Sequence, residues 1–359
     1  MQGLKNLGST CAVNSLIQII CREPRLRNAL INSDLPDNSL SGNLKELLHL
    51  MHNENKSLVP GKFISKLFED MHGIFNFGEQ IDIGELWIFL FDKIATELNT
   101  ISNMHNVLPY IADNDLEEIN LGITYKNDIE YKKALINCQQ LRDKFEYTLR
   151  KFNANKTSNW LETCQGFFLN ITRCKDCGNV LYNFEPFTSI SIDIPDDNSI
   201  PSLTQMLRIF LKEELRNGDW KCSKCNIHTE YTKCVKIWKL PPVIVFIIKR
   251  FSNYSSKNIK SIDINKSICF KNGSILSNIN ANLTYSLSSL GMHFGSLEGG
   301  HYCAMCNTDE DDKTRYLLNN VVFYDDLNIS KVEKEKFYQI IEKNTDGYMI
   351  VYSTAITSS

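Results

Sequence analysis

The spacing of apolar residues changes period once along this chain, and the change divides it in two. Over the first hundred residues apolar positions recur every three or four. They run Val13, Leu16, Ile17, Ile20; Leu44, Leu47, Leu48, Met51; Phe63, Leu67, Phe68 behind Pro60; and Ile83, Leu86, Trp87, Leu90, Phe91, Ile94. Each set lies on one face of a helix. Asp82 and Glu85, three apart ahead of the last set, have the spacing of an N-cap and an acidic N3 residue. From about Gly166 the period drops to two. Phe167–Thr172, Thr188–Ile194, Val243–Phe251, Tyr285–His293, His301–Cys306, Tyr316–Tyr324 and Tyr348–Tyr352 read as strands. The unbroken run Val243–Ile248 predicts a central strand buried on both faces. Ser202 and Gln205 predict a capping box before Leu203, Met206, Leu207, Phe210 and Leu211. Residues 101–160 are Asn-rich and polar around one helical candidate, roughly 129–152, either an elaboration of the first lobe or an insertion. A helical half followed by a β-rich half predicts an α+β fold with a cleft between lobes.

Composition narrows the class of protein. Of 359 residues, 43% are hydrophobic and 23% charged, which are globular values. The formal charge of −3 gives no footprint for nucleic acid or an anionic membrane. No apolar run reaches the roughly 20 residues of a membrane helix, and no signal peptide is legible at the N-terminus. These observations predict a soluble chain in a reducing compartment, the cytoplasm or the nucleus. A secreted disulfide framework is the alternative that twelve cysteines raise, but such domains are usually much smaller.

Four of the cysteines have metal spacing. Cys174-Lys175-Asp176-Cys177 is followed by Gly178, and Cys222-Ser223-Lys224-Cys225 by Asn226. Gly or Asn after the second cysteine suits the tight knuckle that brings two thiolates onto one ion. Two knuckles predict one structural Zn²⁺ held by Cys174, Cys177, Cys222 and Cys225 across the intervening strands and helix. A redox dithiol would leave the second pair unexplained. Cys303 and Cys306 repeat the spacing inside a predicted strand, where positions three apart face opposite ways, so this third pair reads as coincidence.

Cys11 lies where the Gly-punctuated loop Gly3–Thr10 runs into the first helix. A helix N-terminus favours a thiolate over a thiol, although a buried structural cysteine is the commoner case. Far downstream, Gly299-Gly300-His301 sets an imidazole beside two residues without side chains, leaving room for an extended substrate backbone. Val321-Val322-Phe323-Tyr324 then ends in Asp325-Asp326, a carboxylate able to orient that ring. Nucleophile, base and acid in the order Cys, His, Asp form a thiol-protease constellation.

These motifs resemble the ubiquitin-specific proteases, papain-like deubiquitinases with a catalytic domain of thumb, palm and fingers. Residues 3–18 are similar to the family's Cys box, and Tyr285-x-Leu287 through Ala304 to its His box. Leu240-Pro241-Pro242 with Lys249-Arg250-Phe251 is similar to its intervening strand, and the two knuckles to its zinc fingers. The resemblance implies one catalytic domain over 1–359. Its parts would be a thumb at 1–100, a helical insertion of open placement at 101–160, fingers over most of 161–240 and a palm at 241–359. It implies a monomer acting on ubiquitin and ubiquitinated proteins, hydrolysing the bond after ubiquitin's terminal Gly-Gly through a thioester on Cys11, without a catalytic cofactor. His301 would serve as base, Asp325 as its orienting acid and Asn6 as oxyanion donor. Gln80, Asp82, His293, Gly299, Gly300 and Tyr302 would contact the substrate tail.

The chain departs from the family pattern in places. Ile81 replaces the second Gln of a Gln-Gln-Asp motif, Val321 replaces a usual Trp, and the turn Thr308–Thr314 looks lengthened. An alternative alignment therefore makes Asn319 or Asn320 the orienting residue, with Asp325 preferred because Tyr324-Asp325-Asp326-x-x-Ile329-x-x-Val332 fits the pattern. No accessory domain is expected ahead of the Cys box. Three other functions stay open: a non-catalytic ubiquitin-binding scaffold, a protease for another ubiquitin-like modifier, and a zinc-finger nucleic-acid binder, which leaves Cys11 and His301 unexplained.

Overall fold

The computed structural model describes residues 2–53, 57–98, 100–101, 141–153, 156–218, 220–251, 256–270, 283–296 and 299–354. At its centre is the helix Cys11–Arg22, all twelve of whose residues are buried. The sequence pattern gives this helix a single apolar face. It is enclosed all round because the helices Pro24–Ile31, Leu40–Asn53 and Ile83–Leu98 pack on it opposite the strand Gly300–Asn307. Some of its polar groups find internal partners: Gln18 Nε2 donates to the Gln2 carbonyl at 2.7 Å, and Arg22 lies 5.5 Å from the centre of the Tyr324 ring. Asp82 caps Ile83–Leu98 as its spacing predicts, Oδ1 accepting from the N–H groups of Gly84 at 2.7 Å and Glu85 at 3.0 Å. A cap of this kind contributes about 1 kcal/mol.

The β-rich half forms two sheets. The larger is eight-stranded. Its path runs Asn328–Val332, Val321–Asp325, Gly300–Asn307, Leu283–Gly295, Gly347–Thr354, Val243–Lys249, Ile190–Asp193, and Ser267–Phe270 also pairs with Leu283–Gly295. Every pairing is antiparallel except Ile190–Asp193 with Val243–Lys249. Val243–Ile248 is buried at every position, as an interior strand flanked on both sides should be. One face of the sheet packs on the helices and the other on the helices Leu203–Phe210 and Lys334–Glu342. The Ser202–Gln205 capping box is formed. The predicted strand Tyr316–Tyr324 starts only at Val321, because Asp312–Arg315 is a short helix and Leu318, at φ +52°, turns the chain behind it.

The smaller sheet has four strands, ordered Val180–Phe187, Gly166–Cys174, Tyr231–Lys239 and Glu214–Arg216. Of the helix expected at 129–152, residues 141–152 are helical and 129–140 lie outside the described residues. The helical part belongs to this sheet rather than to the first lobe: Phe145 packs 4.9 Å from the Phe167 ring and 5.6 Å from the Trp238 ring.

A buried ionic junction joins the two halves. Arg315 Nη2 donates to Glu23 Oε2 at 3.0 Å, Ser288 Oγ at 2.8 Å and the Arg22 carbonyl at 3.0 Å. The Arg315 and Glu23 side chains are 6% and 1% exposed, so neither charge has water to fall back on. Removing one partner of such a pair costs about 3–5 kcal/mol. The junction thus fixes the helix carrying Cys11 against the strands carrying His301.

Candidate active site

Cys11 is the first residue of its helix, entered through a loop that turns at Gly8 (φ +111°) and Ser9 (φ +52°). Asn6 ties this loop together, its Oδ1 accepting from the N–H groups of Gly8 at 3.0 Å and Thr10 at 3.2 Å and from the Thr10 hydroxyl at 3.1 Å. The helix start does not yield a ready thiolate in the free protein. Burial pushes the Cys11 thiol up from its ordinary value, and the Asp326 charge adds to this against the pull of the Tyr302 and Ala12 N–H groups. The Tyr302 contact brings the thiol to the residue next to His301.

His301 and its orienting carboxylate meet by sheet register. Ala304 pairs with Tyr324, so the ladder leads back to Asp325 beside the end of the His301 strand. His301 Nε2 and Asp325 Oδ1 are 2.6 Å apart. Asn319 and Asn320 are engaged elsewhere: Asn319 Oδ1 accepts from Lys334 Nζ at 2.8 Å, and Asn320 bonds Asp309 and, at 3.3 Å, Lys331. Nε2 being committed to Asp325, Nδ1 is the ring nitrogen left for a thiol. Among the described residues no hydrogen bond joins Cys11 to His301.

Asp326 is the site residue that motif reading missed. At φ +52° it closes the Asp325–Asn328 hairpin, and its Oδ2 accepts from Asn6 Nδ2 at 2.9 Å, its Oδ1 from Asn14 Nδ2 at 2.7 Å. The left-handed conformation, uncommon outside glycine, aims this carboxylate back into the Cys11 loop. The second letter of the Asp-Asp doublet was the available signal.

The residues expected to contact substrate divide into two groups. Gln80, exposed, clamps Gly300 from both sides: its Nε2 donates to the Gly300 carbonyl at 2.9 Å and its Oε1 accepts from the Gly300 N–H at 3.1 Å. Gly299 has open space where a Cβ would project. Behind them, Asp82 Oδ2 accepts from the Tyr302 hydroxyl at 3.4 Å. His293 is buried beneath Gly300, 4.7 Å ring to ring from Tyr302 and 5.4 Å from Phe251. A Cβ on Gly300 would collide with the His293 ring.

At the tip of the smaller sheet, the thiols of Cys174, Cys177, Cys222 and Cys225 lie within 4.8 Å of one another. Gly178 and Asn226 take φ +68° and +58°, the turn that the spacing predicts after each pair. Cys174 and Cys225 have their sulfurs 3.8 Å apart, Cys177 and Cys222 theirs 3.6 Å apart. A tetrahedral ion with Zn–S bonds of about 2.3 Å sets its sulfurs about 3.8 Å apart, the spacing these two pairs already have. Against the penalty of burial, N–H groups of Cys225 and Lys224 and neighbouring thiols bring Cys222 down to about 6, while burial and those same thiols hold Cys225 up to about 12.

A cysteine at a helix start beside a histidine–carboxylate pair on the ends of two neighbouring strands is the arrangement of a thiol hydrolase centre. The chain belongs to the family described as ubiquitin carboxyl-terminal hydrolase, whose model matches residues 2–352. It is 28% identical over 331 residues to ubiquitin carboxyl-terminal hydrolase Usp2 of Drosophila melanogaster, covering 89% of this chain and 32% of that protein. To probable ubiquitin carboxyl-terminal hydrolase 4 of Schizosaccharomyces pombe it is 26% identical, covering 84% and 51%. To ubiquitin carboxyl-terminal hydrolase 12 of Salmo salar it is 27% identical, covering 98% and 89%. The chain thus spans about a third of the fly protein and half of the fission-yeast one. Among solved structures, the SAGA DUB module of Ubp8, Sgf11, Sus1 and Sgf73 bound to monoubiquitin shares the fold. The TM-score is 0.67 at 19% identity, over 99% of this chain and 69% of that one.

Proposed function

We propose that this chain is a deubiquitinase, hydrolysing the isopeptide or peptide bond after the C-terminal Gly-Gly of ubiquitin. The observation that carries the reading is the 2.6 Å Asp325–His301 bond on the strand whose next residue, Tyr302, offers its N–H to Cys11. Cys11 Sγ attacks the glycine carbonyl carbon while His301 Nδ1 takes the thiol proton. Asn6 spends one side-chain N–H on Asp326 and has a second to donate to the oxyanion, a bond worth about 3 kcal/mol in such sites. Collapse of the tetrahedral intermediate breaks the carbon–nitrogen bond, and His301 passes its proton to the departing amine. Water, deprotonated by His301, then cleaves the thioester and returns Cys11 as a thiol.

The ubiquitin tail would run past Gly299 and the Gln80-clamped Gly300, with Asp82 the acidic partner for the tail's arginine and Tyr302 holding that carboxylate. His293 acts from beneath, as the floor that Gly300 rests on. The four finger cysteines would hold one structural Zn²⁺, which braces the tip of the sheet and takes no part in the chemistry. All described cysteines are free thiols, which suits a reducing compartment, and we place the protein in the cytoplasm or nucleus, acting as a monomer on ubiquitin and ubiquitinated proteins.

Ubiquitin carrying a C-terminal electrophile tests the reading. Wild type should form a covalent adduct that Cys11→Ala does not. A folded, zinc-loaded wild type that fails to label would sink the proposal, and labelling only by another ubiquitin-like modifier would reassign the substrate.

A further inference from the structure

The third Cys-x-x-Cys spacing is no metal knuckle, yet one of its members belongs to a different cluster. His301 and Cys303 alternate on one strand and so share a face of the sheet, and Cys303 neighbours Asp325 across the ladder, one step beyond the Ala304–Tyr324 pair. A ring nitrogen of His301, the Cys303 sulfur and an Asp325 oxygen lie within 4.8 Å of one another. Cys303 is 2% exposed. The deubiquitinase chemistry above gives it no role.

We propose that His301, Cys303 and Asp325 form an inhibitory site for a borderline-soft divalent cation, Zn²⁺ above all. One imidazole, one thiolate and one carboxylate make a donor set that suits zinc and serves the oxygen-preferring Mg²⁺ and Ca²⁺ poorly. Binding is simple exchange: Cys303 Sγ releases its proton to solvent and all three donors give lone pairs to the ion, with nothing oxidised or reduced. Bonds of about 2.0 Å to nitrogen and about 2.1 Å to oxygen hold those two atoms roughly 3.3 Å apart. The 2.6 Å His301–Asp325 hydrogen bond therefore has to open. The ion takes the place of the proton those residues share, which removes the base and its orienting bond together. The inhibition rests on the deubiquitinase reading; the binding does not.

The test uses full-length protein with its finger cysteines already zinc-loaded. Co²⁺ is then titrated while thiolate-to-cobalt absorption and hydrolysis of a fluorogenic ubiquitin C-terminal amide are followed. One further equivalent should bind, with an absorption band that persists in Cys11→Ala and disappears in Cys303→Ser and in His301→Gln. Zn²⁺ should inhibit wild type, and Cys303→Ser, normalised to its own uninhibited rate, should need at least about tenfold more, since losing even an outer partner costs a metal site that much. No further equivalent, a band retained in Cys303→Ser, or equal inhibition of both proteins would overturn the proposal. A protein that binds Co²⁺ as described but hydrolyses no ubiquitin substrate would leave the site standing and remove the deubiquitinase reading.

Discussion

Asp326 Oδ2 accepts from Asn6 Nδ2 at 2.9 Å while its Oδ1 accepts from Asn14 Nδ2 at 2.7 Å. One carboxylate thus ties the loop before Cys11 to the helix after it, and it reaches both from the hairpin that carries Asp325. With Asn6 Oδ1 committed to Gly8 and Thr10, the amide has one orientation, its nitrogen turned to Asp326 with a second N–H left over. Asn6→Ala should lower kcat roughly 100-fold or more. Asp326→Ala should lose a comparable factor with KM little changed, because the donor is present but no longer aimed. Asp326→Asn, which tolerates φ +52° and keeps one acceptor oxygen, should recover part of the loss. Steady-state kinetics on a fluorogenic ubiquitin amide reads all three, and a full-speed Asp326→Ala would refute the assignment.

A thiol that burial keeps protonated makes a different prediction from one already paired with an imidazolium. Burial is the largest influence on Cys11 and raises it above the ordinary thiol value of 9.0. Iodoacetamide alkylation of Cys11 in the free protein should therefore rise steadily from pH 7 to beyond pH 9, the thiolate being the reactive form. Mass spectrometry of the Cys11 peptide follows it. A rate already at its plateau near pH 6 would show a preformed ion pair and overturn this account.

The residues that could be read from sequence were those whose role is local. The Asp82 cap, the Ser202–Gln205 box and the turns after each cysteine pair depend on neighbours within four positions, and each is formed where the pattern places it. Buried strand Val243–Lys249 announced itself by composition. Tyr231–Lys239 did not, because most of its positions are half-buried and it has no distinct inner face, and Pro186 interrupts the alternation of Val180–Phe187. Helix Cys11–Arg22 looked amphipathic because Asn14 and Gln18 are polar; only distant partners such as Asp326 and Gln2 make their burial tolerable. The same holds for the Arg315–Glu23 junction, 292 residues apart, and for Cys303 beside Asp325: pairings between separate elements leave no periodic trace.

Zinc removal should act on the smaller sheet first. Its two knuckles hold the ends of Gly166–Cys174 and the approach to Tyr231–Lys239, far from the Phe145, Phe167 and Trp238 cluster that packs the other end of these strands. An ion held at 100 times its Kd stabilises a fold by about 2.7 kcal/mol. Cys222→Ser should carry less than one zinc per chain by elemental analysis, melt several degrees lower, and exchange the amides near Cys174 and Tyr231 faster than those of Val243–Lys249. Uniform exchange throughout both sheets would show that the ion braces the whole domain instead.

His293 gives the protein an acid-sensitive floor beneath Gly300. Its Nδ1 has no hydrogen-bond partner among the described residues. Burial first, and then the nearby Lys257 charge, hold its pKa below the ordinary 6.5. The unfolded chain therefore binds a proton that the folded one refuses. Stability is complete above about pH 6.5 and falls as acid carries the solution below the unfolded value and towards the lower folded one. The melting temperature of wild type should drop more between pH 7.5 and pH 5.5 than that of His293→Gln, which has no such proton to gain. Gly300→Ala, whose Cβ collides with this ring, should melt lower than wild type at both pH values and lose ubiquitin hydrolysis, since the strand carrying His301 has to move to admit it. Equal pH dependence in wild type and His293→Gln would show that another group carries the acid sensitivity, and a fully active Gly300→Ala would show that the floor gives way without disturbing His301.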